Sequence, residues 1–547
     1  MKNAVYTYPL PQNEPVLSYL KGSPEREALE KELKRQSSEV IEIPLVIGGK
    51  EIRTGNMGEV VMPHDHSHVL ARYHKVGEAE IRLAIDEAMK AHKEWSQMEW
   101  EVRANILLKA AELISTKYRA TLNAATMLGQ SKNIYQAEID SACETIDFLR
   151  YNVAFASKIY STQPKSTSSI QNSTEYRPLE GFILTVSPFN FTAIASNLNM
   201  SPVLMGNVTI WKTATTAILS NYYLMKIFME AGLPAGVINF LCGSGALIGK
   251  HAMDSKDFGG IHFTGSTGTF NSLWKTAGEN LLKYKSYPRL VGETGGKDFV
   301  FAHPSAPVAE LSTALFCGAF EFQGQKCSAA SRAYVPASLW DGVLKEIKRM
   351  AGEIKMGDPR DFDNFINAVI DEAAFDSISS YIEYAKKSND ANVVIGGKFD
   401  KSKGYFIEPT VILTTDPHFK SMEEEIFGPV LTVYVYEDDK LEETIKLCDT
   451  TSPYALTGSV FGRDRVAIQK IADKLRYAAG NFYVNDKPTG AVVGMQPFGG
   501  ARGSGTNDKA GGEFNLFRWI SPRSIKENYT PATDYKYPYM FGDGGKC

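Results

Sequence analysis

Ile183-Leu184-Thr185-Val186-Ser187-Pro188-Phe189-Asn190-Phe191 decides how the chain is built. A short apolar run suited to a pleated strand meets a Ser-Pro break, and proline has no amide proton with which to continue a ladder. The same unit recurs downstream. Val208–Trp211 is apolar and is followed by a helical stretch that stops at Ala231-Gly232-Leu233-Pro234. Val237–Leu241 and Gly260–Phe263 are further short strands, and the second runs into Thr264-Gly265-Ser266-Thr267. Strands separated by helix-length segments predict parallel βαβ units in a doubly wound sheet. Ligands of such a sheet bind outside the carboxyl ends of its strands, where these turns lie.

Residues 1 to about 45 read as a charged lead-in with a helical stretch near Pro24–Lys34. Ile81, Ala84, Ile85, Ala88 and Met89 recur at helical spacing, as do Leu107, Ala110, Ala111 and Ile114, and a third helix is expected over Ala142–Tyr151. Residues 161–178, rich in Ser, Thr, Gln and Asn, read as an exposed hairpin or connection. After Glu293 a second α/β region runs to about residue 515, with strands expected at Arg332–Val335, Asn392–Ile395, Val430–Tyr436, Gly458–Phe461 and Gly480–Val484. The tail past Trp519 alternates weakly.

The 547 residues exceed what one core holds, so roughly two or three domains are expected. The 43% hydrophobic and 22% charged content fits a soluble globular protein. A net charge of −4 argues against a general nucleic-acid binder. No apolar run is long enough for a transmembrane helix, and Met1–Leu20 has neither a signal-peptide core nor an Arg-rich transit pattern. Cys143, Cys242, Cys317, Cys327, Cys448 and Cys547 are scattered without a CxxC pair, which points to a reducing compartment with no zinc site and no other metal. His64 and His66 flank one acid and are expected to be solvated.

The chemistry is carried by two glycine-flanked motifs. Cys327 sits in Gly324-Gln325-Lys326-Cys327-Ser328, and Glu293 lies 34 residues upstream in Val291-Gly292-Glu293-Thr294-Gly295-Gly296-Lys297. A thiol and a carboxylate without a nearby histidine suggest a covalent enzyme that must later activate water. An isolated cysteine is most often a small buried hydrophobe, but Gln325, Lys326 and Ser328 argue against burial, and a neighbouring lysine favours thiolate. Glu293 precedes Gly295-Gly296, where backbone can approach a ligand, and serves as a base if partly desolvated. The Asn190 side chain can donate to a developing oxyanion. Thr264-Gly265-Ser266-Thr267 can open a helix whose N-terminus receives a pyrophosphate. Gly243-Ser244-Gly245-Ala246-Leu247-Ile248-Gly249 is one residue too long for the dinucleotide fingerprint. Lys212, at a strand end, can bind ribose or phosphate.

Five motifs in order give the chain, from about residue 45 to 525, a resemblance to the NAD(P)-dependent aldehyde dehydrogenase superfamily: Pro188-Phe189-Asn190-Phe191, Phe263-Thr264-Gly265-Ser266-Thr267, Gly292 to Lys297, Gly324-Gln325-Lys326-Cys327 and Glu424-Glu425-Ile426-Phe427-Gly428-Pro429. The stretches Asn485–Gly494, Gln496–Arg502 and Ser504–Gly512 are similar to the members that oxidise L-glutamate γ-semialdehyde, the hydrolysed form of Δ1-pyrroline-5-carboxylate, to L-glutamate in proline breakdown. The resemblance implies an α/β fold with a Rossmann-type cofactor domain over residues 1–155 and 179–292, an α/β catalytic domain over 293–518, and a small β oligomerisation element over 156–178 and 519–547. It implies Cys327 as nucleophile, Asn190 and the Cys327 amide as oxyanion donors, and Glu293 as the base for hydrolysis. For the cofactor, NAD with NADP possible, it implies Lys212 and Glu425 at the riboses, Ser266 at the pyrophosphate, Phe427 near the nicotinamide ribose, and backbone from Ser187 and Gly265. For the substrate it implies Gly490, Ala491 and Ser328 at the α-carboxylate and Phe191 and Phe498 on the aliphatic chain, with Lys326 and Glu144 paired beside the site. Thr215 stands where many relatives carry an acid that grips the adenosine ribose, and Ala491 where some carry serine. A homodimer or larger assembly is implied, in bacterial cytoplasm or mitochondrial matrix, with a proline dehydrogenase as a possible partner for a monofunctional chain. Other readings are a different acidic aldehyde such as succinate semialdehyde, or a retired enzyme that only binds nucleotide.

Overall fold

The computed structural model describes residues 6–541. Cys547 and the last residues of the expected oligomerisation element, 542–547, lie outside the described residues, as do residues 1–5.

Five parallel strands run in the order Arg289–Glu293, Phe258–Thr264, Phe182–Val186, Val208–Lys212 and Ile238–Leu241. Phe258–Thr264 is buried throughout and Phe182–Val186 nearly so, as expected of parallel strands covered by helices on both faces. The chain winds outward from Phe182–Val186 on one side, then returns to lay Phe258–Thr264 on the other. Connections that leave two neighbouring strands in opposite directions open a crevice at their carboxyl ends. Ser187–Phe191 and Gly265–Thr267 stand there.

The lead-in does more than the sequence reading allowed. Its helix spans Pro24–Ser38, and short strands follow. Leu45–Ile47 and Lys50–Ile52 extend the first sheet as an antiparallel edge. Ile41–Ile43, Met57–Met62 and Asp65–His74 form a separate three-stranded sheet. His64 is buried in the turn between the last two, with Nδ1 3.3 Å from Ser131 Oγ. It is therefore not solvated, and burial pushes its imidazole down to about 4. His66 is half-buried, its ring beside Tyr405 and its Nε2 bonded to the Lys401 carbonyl.

A second seven-stranded sheet has the order Ala391–Ile395, Thr410–Thr414, Val430–Tyr436, Ala330–Pro336, Asp298–Ala302, Thr457–Phe461 and Asn481–Val484. Only its edge strand Ala391–Ile395 runs antiparallel to its neighbour. Ile170–Pro178 and Ile520–Asn528 pair antiparallel into a two-stranded ribbon that joins neither large sheet. Residues 156–161 are still helix, the end of Thr145–Ser161, so the ribbon begins later than the sequence reading placed it. Among the described residues no helix is long and apolar enough to cross a membrane.

Candidate active site

The two sheets are joined by four residues. Glu293 ends Arg289–Glu293, Asp298 begins Asp298–Ala302, and Thr294-Gly295-Gly296-Lys297 lies between. A Cβ on Gly295 would sit 1.9 Å from a Glu425 carboxylate oxygen, and one on Gly296 would sit 2.4 Å from the Cys327 carbonyl oxygen. The Gly296 amide donates to Glu425 at 3.0 Å. The glycine pair thus admits the chain's own carboxylate and backbone to the link.

Cys327 follows a turn, Glu321–Gly324, in which Phe322, Gln323 and Gly324 have φ of 52°, 56° and 65°. This left-handed backbone is strained outside glycine. It is held from several sides. The Gln323 amide donates to the carbonyls of Ser131 and Ala368, and Gln325 Oε1 accepts the Ile370 amide. Gln325, Lys326 and Ser328 are buried, contrary to the inference from their polarity. Cys327 itself is partly exposed, to a cavity of about 390 Å³.

That cavity is lined by Cys327, Glu293, Phe191, Phe498, Ser328, Lys326, Glu144, Gly490 and Ala491. The fold brings together residues separated by some three hundred positions. Ser328 Oγ donates to Thr489 Oγ1 at 2.8 Å, and Gly490, at φ 95°, turns the backbone toward Ala491. Asn190 is buried beside the thiol's segment. One of its amide hydrogens goes to the Gln325 carbonyl at 3.0 Å, which orients the side chain and leaves the other hydrogen to donate. Cys327 also borders a smaller hollow with Glu425 and Phe427. Phe427 has φ 57° and packs edge-on to Phe189 with centroids 5.7 Å apart.

Charge at the site is set by burial. Glu293 is pushed up to about 8 by desolvation, offset in part by Lys509, and its Oε1 has no hydrogen-bond partner among the described residues. Desolvation and then the carboxylates of Glu293, Asp298 and Glu425 hold the Cys327 thiol well above its ordinary range. Lys326 does not offset this. Its ammonium pairs with Glu321 at 3.0 Å, and Lys487 donates to both oxygens of the same carboxylate at 2.8 Å. The expected Lys326–Glu144 pair is absent because Glu321, at the head of the turn before Cys327, captures both lysines. Glu144 forms no ion pair among the described residues and is raised to about 8 by burial.

A buried pair missed by the sequence reading supports the segment that carries Asn190. Lys132 Nζ lies 2.7 Å from Asp140 Oδ2, 4.0 Å above the Phe191 ring and 4.4 Å above that of Phe322. The Asp140 oxygens accept the amides of Thr192 and Ala193 at 3.0 and 2.9 Å. The carboxylate thus caps the helix Thr192–Leu204 directly after Asn190-Phe191. Neither residue lies in a motif that suggests the role.

At the crevice, Ser266 is the exposed N-cap of Thr267–Glu279, its hydroxyl accepting the Thr269 amide. Lys212 ends its strand half-buried, with no ion pair or hydrogen bond from its side chain among the described residues, and burial lowers its pKa. Gly265 donates its amide to the Glu293 carbonyl at 3.2 Å, and a Cβ there would meet the Phe263 ring at 2.7 Å. The Ser187 hydroxyl accepts from Trp211 Nε1 at 3.0 Å. An unpaired cation, a capped helix N-terminus and a bare backbone turn at a topological switch point fit a dinucleotide.

The sequence profile described as the aldehyde dehydrogenase family matches residues 52–525. A protein of Dictyostelium discoideum named mitochondrial delta-1-pyrroline-5-carboxylate dehydrogenase is 54% identical over 97% of this chain and 96% of its own. The human protein of the same name is 48% identical over 96% and 94%. Among solved structures, the Mycobacterium tuberculosis delta-pyrroline-5-carboxylate dehydrogenase bound with NAD superposes with a TM-score of 0.95 at 49% identity, covering 99% of this chain and all of that one. The 1-pyrroline-5-carboxylate dehydrogenase from Thermus with bound NAD gives 0.89 at 33% identity, over 96% of this chain and all of that one.

Proposed function

The chain belongs to the aldehyde dehydrogenase family, and from that premise we infer that it oxidises L-glutamate γ-semialdehyde, formed from Δ1-pyrroline-5-carboxylate, to L-glutamate with NAD. The observation that carries the substrate is the shared cavity. Cys327 and Glu293 line it together with the Gly490-Ala491 backbone, whose amides make no hydrogen bond within the described residues and are free to take an α-carboxylate.

In this reading the Cys327 thiol releases its proton to solvent and its sulfur adds to the aldehyde carbon. The free Asn190 amide hydrogen and the Cys327 backbone amide donate to the oxygen as it becomes an alkoxide. When the carbonyl re-forms, the carbon gives up its hydride and a thioester remains on Cys327. NAD, when bound, supplies the hydride acceptor. Lys212 and Glu425 would hold its riboses, Ser266 its pyrophosphate, and Phe427 would pack near the nicotinamide ribose, with Ser187 and Gly265 lending backbone. Glu293 then takes a proton from water, the hydroxide attacks the thioester carbon, and the thiolate leaves with glutamate as product. Phe191 and Phe498 pack the aliphatic chain, and Ser328 adds a hydroxyl to the carboxylate anchor. Lys326 and Glu144 line the same cavity, Lys326 through its link to Glu321.

The assembly is proposed as a homodimer or larger through the ribbon, because an isolated two-stranded ribbon is marginal by itself and its Ile520–Asn528 strand is almost wholly exposed. The mitochondrial matrix is proposed as the location, which relatives named mitochondrial support, with the cytoplasm of a bacterium as the alternative. A proline dehydrogenase is proposed as the partner that supplies the substrate. The test is NADH absorbance with NAD and pyrroline-5-carboxylate, beside succinate semialdehyde. Efficient turnover of the first is expected; preference for the second overturns the substrate, and no signal from either overturns the activity.

A further inference from the structure

Residues 6–23 run without helix or strand into the first helix, and they lie before residue 52, where the family match begins. Asn13, Glu14 and Val16 nevertheless line the same cavity as Cys327. We propose that this segment is a substrate-specificity strap, and that Asn13 is a positioning residue for the loop that anchors the substrate's α-carboxylate; the inference rests on the substrate reading above.

The geometry is specific. Asn13 Nδ2 donates to the Val493 carbonyl and to Asp147 Oδ2, each at 2.8 Å, while its Oδ1 accepts the Tyr151 hydroxyl at 3.0 Å. The side chain therefore spends both donors and its acceptor in one place. Val493 is three positions from Gly490 and two from Ala491. Tyr151 also packs where a Cβ on Gly494 would clash, 2.1 Å from its ring. The loop is thus gripped on both sides of Val493, by the strap and by the helix Thr145–Ser161.

The strap has further ties beside that grip, one of which shares Asp147 with it. Glu14 receives Arg119 at 2.6 Å, Arg150 at 2.7 Å and Ser115 at 2.8 Å, and its amide donates to Asp147. The Leu17 amide donates to Glu138. Removing the Asn13 amide therefore releases the loop while these ties keep the segment docked. A part-buried hydrogen bond to a substrate-holding loop acts on binding, since the thiol and its base stand on other elements.

The test is Asn13→Ala in the full chain. Expected are KM for glutamate semialdehyde and Ki for L-glutamate each raised about tenfold, the scale of one lost hydrogen bond, with kcat within about twofold and NADH affinity unchanged. A second variant exchanges the pair, Asn13→Asp with Asp147→Asn. It restores a donor between positions 13 and 147 but gives Val493 none, so its melting midpoint should match wild type while Ki stays raised. An unmoved Ki in Asn13→Ala, a Ki that moves in step with NADH affinity, or a Ki restored by the exchange would each overturn the strap. A wild-type protein that does not oxidise glutamate semialdehyde sinks the substrate reading, and the strap inference falls with it.

Discussion

Cys327 and Glu293 are a thiol and a carboxylic acid that burial holds in their neutral forms, and each must lose a proton to act. Cys327→Ala should abolish NADH production while leaving nucleotide binding, measured by fluorescence, intact; residual turnover would exclude the thiol. Glu293, raised to about 8, becomes a base only as pH rises through that value. Thioester hydrolysis should therefore accelerate from pH 7 to pH 9 in single-turnover experiments. Glu293→Gln should flatten that profile and slow the step by roughly a hundredfold or more, leaving a burst of NADH. A profile unchanged in the variant would remove Glu293 from the role. Both residues were legible because each sits against glycines whose spacing admits close backbone approach. Their partners were not. Lys326 looked like a thiolate stabiliser and a mate for Glu144, yet its ammonium goes to Glu321. Which carboxylate a lysine finds depends on tertiary placement, which residue order does not encode.

Among the elements, the helix Thr192–Leu204 and its buried cap place Asn190, the proposed oxyanion donor. Lys132→Met leaves Asp140 buried without its cation and should cost about 3–5 kcal/mol in denaturant unfolding, the usual penalty for breaking a buried pair. A loss under about 1 kcal/mol would show that the amides of Thr192 and Ala193 suffice for Asp140. Four of the five parallel strands of the first sheet were readable because short apolar runs alternate with helix-length segments; Arg289–Glu293 was not among them. Asp298–Ala302 and Thr410–Thr414 escaped. The first opens with an acid, and only the fold shows why: Asp298 Oδ1 accepts the Thr457 amide at 2.6 Å from the neighbouring strand. The three-residue strands near residue 45 are too short to display any period.

Across the whole molecule, burial sets how stability follows pH. Glu144 and Glu293 are raised to about 8 from 4.5, so between those values the folded chain holds protons that the unfolded chain has released. Their contribution is present below pH 4.5 and is lost as pH rises through about 8. His64, lowered from 6.5 to about 4, acts in the opposite sense, but only below pH 6.5. Lys297, lowered by burial from 10.5 to about 7, opposes the two carboxyls above pH 7. The ligand-free melting midpoint of Glu144→Gln should therefore fall less, or rise more, than that of the wild type from pH 6.5 to 8.5; equal slopes would contradict the burial account. The proposed nucleophile and base arrive from different sheets, and only Thr294–Lys297 connects the strand that ends in Glu293 to the one that begins at Asp298. This bridge acts as a ruler. One inserted residue can add up to about 3.5 Å of extended chain, more than a proton-transfer contact tolerates, so its length is open to far less drift than any surface loop.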